Sequence, residues 1–435
     1  MSELTIERVE PWTPHASATP LTKRTDERLA LSSNGTRTCV GGWQVIYDGV
    51  QPGNTYTIEW EAVFTGLDHP RDSLRGKVYW EDLAAETSRP RGEWHYLLPD
   101  LSSGRVVYRR TLTAPDDARH LTVRSTFRWS TSGEASWTYP RIQRVDPNTA
   151  DEATRVAVVT GTTMDRRESY ETMQDCIDLY LPLTEQVIED GAQLVCLPEI
   201  ALQYGVSGHQ LDLAVPMDAP EVQTFADLAR TSGSLILLGL YERDHDAVHN
   251  TAALFGPAGL IGRYHKVHLA VGGESESGIL PGDSFPVFAT DLGRIGCNIC
   301  MDSSAAESSR SIGLAGADFL LLPIMGDHRA DRWSQGNPVF NEGRWRAIMR
   351  TRAIDNQLYM IVARNHSQGS CIIDRKGDFL AWNEGDLPYI IADVPTDGGY
   401  RTWNGGCFAD VNWMQRRPHL YSEYANESNV GSLTS

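Results

Sequence analysis

Cysteine is scarce in this chain and odd in number: 7 in 435 residues, with no repeating spacing. That excludes a disulfide framework and points to a reducing compartment, the cytoplasm. The 12 histidines are scattered, so no built-in metal site or other cofactor is expected. No run of about 18 apolar residues occurs, so no membrane span is expected. The opening MSELTIERVEPWTPH has neither a basic nor an apolar leader region, so no signal peptide is expected. Clustered Lys and Arg are also missing. The net charge is -18, and residues 1–150 are nearly balanced, with 18 basic and 19 acidic residues. The acidity therefore falls on the remainder, which excludes a phosphate-binding surface for nucleic acid.

What is there has two rhythms. Up to about residue 148 the pattern has period two. Tyr56, Ile58, Trp60, Ala62 and Phe64 alternate with more polar residues, as do Trp43, Val45 and Tyr47. Leu121, Val123, Phe127 and Trp129 continue the pattern, interrupted by Ser125. Such alternation predicts strands with one buried face. Turn residues such as Gln51-Pro-Gly-Asn54 separate them, which predicts an all-β sandwich of jelly-roll style over 1–148. Seven of the 12 tryptophans lie here. Trp43, Trp60 and Trp129 read as core fillers on the inward face, with sugar stacking as the competing reading.

From residue 153 short apolar runs alternate with helical patterns, which predicts an α/β domain over 153–396. Arg155-Val-Ala-Val-Val-Thr160, Gln193-Leu-Val-Cys-Leu197 and Ser234-Leu-Ile-Leu-Leu-Gly-Leu240 read as buried strands. Pro182 is expected to kink or break the helix before Gly191. Residues 397–435 form an irregular tail that packs on the body or on a partner subunit.

Three strand ends in this half carry polar residues. Leu194-Val-Cys-Leu-Pro-Glu199 puts a carboxylate at the mouth of the sheet, where desolvation makes it a credible general base. Gly262-Arg-Tyr-His-Lys-Val-His-Leu269 supplies a lysine. Ile295-Gly-Cys-Asn-Ile-Cys300 supplies a thiol. Singly, each has a bland explanation as a solvated carboxylate, a surface cation or a buried small hydrophobe. Together they make a nucleophile, its base and an oxyanion partner. A free thiol with a pKa near ~8.5 is mostly protonated at neutral pH. A base must therefore take its proton, a step typically worth about 10²–10⁴ in rate. The C-x-x-C spacing of Cys297 and Cys300 reads as coincidence. If the strand runs to Cys300, residues three apart face opposite sides with Cα atoms about 10 Å apart, beyond the ~7 Å reach of a disulfide. Cys297 then reads as core and Cys300 as the reactive thiol.

In order, "LPE", "YHKVHL" and "GCNICMD" resemble the nitrilase, or carbon–nitrogen hydrolase, superfamily over roughly 153–396. Glu307 and Arg310, then Arg352-Ala-Ile-Asp-Asn356, Asn365 and Ser370-Cys-Ile-Ile-Asp-Arg-Lys-Gly377, extend the resemblance. It implies an αββα sandwich with a Glu-Lys-Cys triad. In it Cys300 is the nucleophile, Glu199 the base, and Lys266 with the backbone N–H of Met301 the oxyanion support. A fourth family carboxylate corresponds to Glu274 or Glu276, with the Glu-Ser pair before Pro281-Gly282 favouring Glu276. It also implies a homodimer or higher homo-oligomer. Cys-Met-Asp sits nearer the amidase and carbamoyl-hydrolase pattern than the nitrilase Cys-Trp-Glu. The expected substrate is therefore a small amide or ureido compound cleaved through a thioester. A nitrile is the alternative, and an idle scaffold with a glycan-binding front domain is the other reading. Tyr204, His328 and Asn365, on strand-end loops, are the candidate substrate contacts.

Overall fold

A computed structural model describes residues 4–67, 69–81, 94–97, 106–116, 118–145, 153–161, 169–325, 340–395, 413 and 415–421. The chain divides into two units, Met1–Thr149 with Tyr400–Ser435, and Ala150–Gly399.

The first unit is built from two antiparallel sheets. One carries Thr5–Trp12, Val40–Asp48, His120–Arg128, Leu74–Glu81 and Trp94–Leu97 in that spatial order. The other carries Arg141–Val145, Thr55–Thr65, Glu134–Thr138, Arg28–Ser32 and Leu21–Arg24, with Val106–Thr113 also paired to Thr55–Thr65. One core joins them. Trp43, Val45, Val78, Trp80, Val123 and Phe127 of the first sheet meet Ile58, Trp60, Tyr108 and Trp137 of the second. Trp60 stacks on Tyr108 with ring centroids 4.8 Å apart. The alternation in the sequence thus marks the inward faces. Trp129 departs from it. The strand ends at Arg128, Trp129 has a φ of 58°, and its side chain is 48% exposed. Beyond the last ladder residue the period-two rule has no hold on side-chain direction.

Residues 415–421 of the tail pack within this unit. His419 stacks on His69 at 3.9 Å and lies 3.6 Å from the Asp72 carboxylate. The Arg417 guanidinium lies over the Trp129 ring at 4.8 Å.

The second unit is an αββα sandwich. Its first sheet has the order Gly259–His265, Ala247–Gly256, Leu235–Asp244, Leu194–Cys196, Ala153–Val159, Tyr389–Pro395. Its second has the order Val287–Thr290, Gly293–Cys297, Phe319–Ile324, Tyr359–Arg364, Cys371–Ile373, Phe379–Trp382. In each sheet three central strands run parallel.

Parity explains the layers. Val156, Val158, Leu194 and Cys196 face Ile295, Cys297, Phe319 and Leu321 between the sheets. The intervening Ala157, Val159, Val195 and Leu197 pack outward against the helices Met173–Glu189 and Pro220–Ser232. On the far side, Leu320, Leu322, Met360 and Val362 meet Ile312 of Ala306–Leu314 and Met349 and Ala353 of Glu342–Asn356. Strands buried on both faces must be apolar throughout, which is why they read as unbroken runs.

Pro182 does not end its helix, which runs unbroken from Met173 to Glu189. Pro182 is on the exposed face. Water can therefore satisfy the Asp178 carbonyl that a proline four residues later leaves unpaired, while Ile177, Tyr180 and Val187 hold the buried face.

Candidate active site

The parallel strands of both sheets end at one edge of the sandwich, where open α/β sheets bind ligands. Glu199 follows Leu194–Cys196, Cys300 follows Gly293–Cys297, Met325 follows Phe319–Ile324, and Asn365 follows Tyr359–Arg364. Lys266 follows Gly259–His265, whose antiparallel partner Ala247–Gly256 brings Asn250 to the same edge.

Lys266 is 1% exposed and donates to Glu199 Oε1 at 2.8 Å and to Glu274 Oε2 at 2.7 Å. Asn250 Nδ2 repeats the bridge, donating to Glu199 Oε1 at 2.8 Å and to Glu274 Oε1 at 2.5 Å. Glu199 Oε2 accepts the Met325 backbone N–H, and Ala270 N–H donates to Glu274 Oε2 at 2.8 Å. The Cys300 thiol lies close enough to Glu199, Lys266 and Glu274 for all three charges to act on it. The structure therefore brings Glu199, Lys266, Cys300 and Glu274 together. Buried charges persist when they are paired and fully hydrogen-bonded, as these are.

The electrostatics follow. Burial would drive Lys266 to shed its proton, but Glu199, Cys300 and Glu274 outweigh it and push the ammonium pKa above its ordinary value. Burial, the Glu199 charge and the Glu274 charge push the Cys300 thiol up, and Lys266 opposes them. These surroundings favour the neutral thiol over the thiolate.

Backbone strain collects here. Cys300 has a φ of 43° and Ile200, next to Glu199, a φ of 45°. Each such residue costs of order 1–3 kcal/mol and persists only where its surroundings over-determine it.

Several sequence expectations change. The strand stops at Cys297, and Cys300 opens a short 3₁₀ turn, Cys300–Ser304, containing Met301. A buried strand end and a turn, rather than opposite faces of one strand, separate the two cysteines. Both are free thiols, and burial pushes Cys297 up to about 12. The leaning towards Glu276 is reversed: Glu276 is exposed, and Glu274 makes the Lys266 contact. The two lie on one 3₁₀ turn, Glu274–Glu276, and only one can point inward. Glu307 is exposed, and Arg310 donates to the Asp355 carbonyl at 2.6 Å.

Asn365 is fully buried. Its Nδ2 donates to the Glu199 carbonyl at 2.7 Å, and its Oδ1 accepts from the Tyr180 hydroxyl at 3.2 Å. It holds the Glu199 backbone instead of presenting itself to a ligand. Tyr204 is partly exposed and its hydroxyl lies 3.2 Å from His366 Nε2. His328 lies outside the described residues. Asn250 was missed by sequence reasoning. The available signal was an amide in a strand otherwise continuing Thr-Ala-Ala-Leu-Phe.

Among the described residues, no group of three or more His, Cys, Asp or Glu side chains could hold a metal, and no helix is long and apolar enough to cross a membrane.

Known proteins resemble this chain in sequence and fold. The family model described as carbon-nitrogen hydrolase matches residues 155–402. The omega-amidase NIT2 of Bos taurus is 31% identical over 270 residues, covering 57% of this chain and 91% of the relative. A nitrilase of Pyrococcus abyssi is 35% identical over 146 residues, covering 32% of this chain and 55% of the relative. An amidase structure from Nesterenkonia sp. superposes with a TM-score of 0.51 at 20% identity, covering 63% of this chain and 97% of that one. Its likeness is one of fold. With the family match spanning more than half of the sequence, the chain belongs to the carbon-nitrogen hydrolase family.

Proposed function

We propose that this protein hydrolyses the C–N bond of a small amide or N-carbamoyl compound through a thioester on Cys300. The observation that carries the reading is the buried Lys266 held between Glu199 and Glu274, with the Cys300 thiol within reach of their charges.

Glu199 takes the thiol proton as sulfur attacks the carbonyl carbon, because a thiol held neutral needs its base during the attack. The carbonyl electron pair moves to oxygen. The Lys266 ammonium and the Met301 N–H stabilise that oxyanion, a contribution of about 10²–10³ per donor. The tetrahedral adduct collapses, the C–N bond breaks, and Glu199 returns the proton to the departing ammonia or amine. Water then gives its proton to Glu199, attacks the thioester and restores the thiol and the acid product. Glu274, with Asn250, keeps Lys266 charged and aimed.

The amide reading is supported by the likeness to the omega-amidase relative and by Cys-Met-Asp at the thiol. A nitrile would pass through a thioimidate at the same sulfur. An ammonia-release screen over amides, ureido acids and nitriles separates the two. Cys300→Ala is expected to abolish turnover of every substrate the wild type uses, and hydroxylamine is expected to trap the acyl group only from the wild type. Unchanged turnover in Cys300→Ala would sink the proposal. A homodimer or higher assembly belongs to the same reading, and light scattering checks it. Trp43, Trp60, Trp80 and Trp137 are buried in the core of the first unit and cannot stack on a sugar, which leaves the exposed Trp129 as the candidate for that reading.

A further inference from the structure

Two residues past Cys300, the carboxylate of Asp302 is fully buried and, among the described residues, carries no ion-paired lysine or arginine. Four donors converge on it instead. Oδ2 accepts the Ile299 N–H at 2.8 Å and the Tyr264 hydroxyl at 2.7 Å. Oδ1 accepts the His268 N–H at 3.0 Å and faces His268 Nδ1 at 2.8 Å. With the carboxylate ionised, Nδ1 carries the proton and donates.

These donors come from two separate elements. Ile299 immediately precedes Cys300. Tyr264 and His268 flank Lys266 by two residues on either side. The Tyr264 hydroxyl also accepts the Val267 N–H at 3.3 Å. Ser308, on the helix after the thiol turn, lies 3.1 Å from His268 Nδ1. One carboxylate therefore ties both flanks of the lysine to the near flank of the thiol. It also holds the first turn in which Cys300 keeps its left-handed backbone. Such a conformation needs surroundings that over-determine it.

We propose that Asp302 is a positioning residue that locks the Cys300 turn in register with the Lys266 segment, and so sets the distance between sulfur and ammonium. Asp302 itself touches no reacting atom. The role rests on the reading of Cys300 and Lys266 given above. An aspartate is required because all four partners donate. An asparagine of the same shape offers one acceptor oxygen and turns its NH₂ group against two donors.

The test compares wild type, Asp302→Asn, Tyr264→Phe and the double variant. Turnover is measured on the best substrate, and Cys300 alkylation by iodoacetamide is followed by mass spectrometry across pH. Asp302→Asn is expected to lower kcat about 10²-fold, the cost of a small misplacement of reacting groups, with KM within a few-fold of wild type. Its alkylation profile is expected to move to higher pH, because a misplaced ammonium stabilises the thiolate less. Tyr264→Phe is expected to shift both in the same direction by less, and the double variant to match Asp302→Asn alone, as for residues acting as one unit. If Asp302→Asn does not fold, Tyr264→Phe carries the test. A variant with lowered Tm but wild-type kcat and alkylation profile would overturn the inference and leave Asp302 a purely structural group. The alkylation readout needs no turnover. Failure of the catalytic reading, seen as activity in Cys300→Ala, is therefore distinct from failure of this one.

Discussion

At the scale of the residue, the site turns on which of two carboxylates two positions apart points inward. Glu274 shares Lys266 and Asn250 with Glu199, whereas Glu276 is exposed. Glu274→Gln removes a negative charge from a buried cation and is expected to lower kcat about 10²-fold, the size typical of an acid–base partner. Glu276→Gln is expected to stay within two-fold of wild type. Steady-state kinetics of the pair checks the assignment, and equal losses would refute it.

At the scale of the element, close backbone approach holds the site in shape. Gly239 lies in the strand Leu235–Asp244, and a Cβ there would sit 2.3 Å from the Pro198 carbonyl oxygen and 2.7 Å from the Ile200 nitrogen. Both are backbone atoms beside Glu199, so neither can swing aside. Gly239→Ala is expected to cost about 1–3 kcal/mol and to reduce kcat together with the denaturant midpoint. A second buried carboxylate lies on the same strand. Glu242 accepts from Thr251 Oγ1 at 2.8 Å, faces His265 Nε2 at 2.9 Å and pairs with Arg263. Burial would raise its pKa, but His265, Thr251 and Arg263 outweigh that and hold it below its ordinary 4.5. A carboxylate depressed on folding contributes stability above its unfolded pKa and loses it as pH falls through the folded value. Glu242→Gln is therefore expected to be less stable than wild type at pH 7 and to show a smaller drop in Tm between pH 5 and pH 3. A parallel drop in both proteins would contradict the assignment.

At the scale of the whole molecule, the two units answer to different signals. Cleavage of the tail after Gly399 removes the His419 stack on His69 and the Arg417 contact with Trp129. Cation–π contacts at exposed sites contribute about 0.5–1 kcal/mol each. The truncated chain is expected to show a lower melting temperature for the sandwich unit, with kcat unchanged, by calorimetry and activity assay. Loss of activity alone would instead assign the tail to the hydrolase unit.

How much was legible follows from the range of each interaction. Alternation in Tyr56–Phe64 and unbroken runs such as Leu235–Leu240 are imposed by one-sided and two-sided burial, so they mark strands and the ends at which Glu199 and Cys300 follow. Trp129 and Pro182 escaped because the relevant fact was the end of a ladder or the exposure of one helix face, neither of which is local. Asn250 and the partners of Asn365 and Asp302 were illegible for a related reason. Their partners Glu199, Tyr180 and Tyr264 lie 51, 185 and 38 residues away in sequence. The sequence by itself determined a β-rich unit followed by an α/β unit and the chemical types at the strand ends, while the αββα layering was implied by the family resemblance. Only the tertiary structure decided which carboxylate meets Lys266 and what holds the thiol turn, because hydrogen bonds act at about 3 Å and the fold alone sets which distant groups come that close.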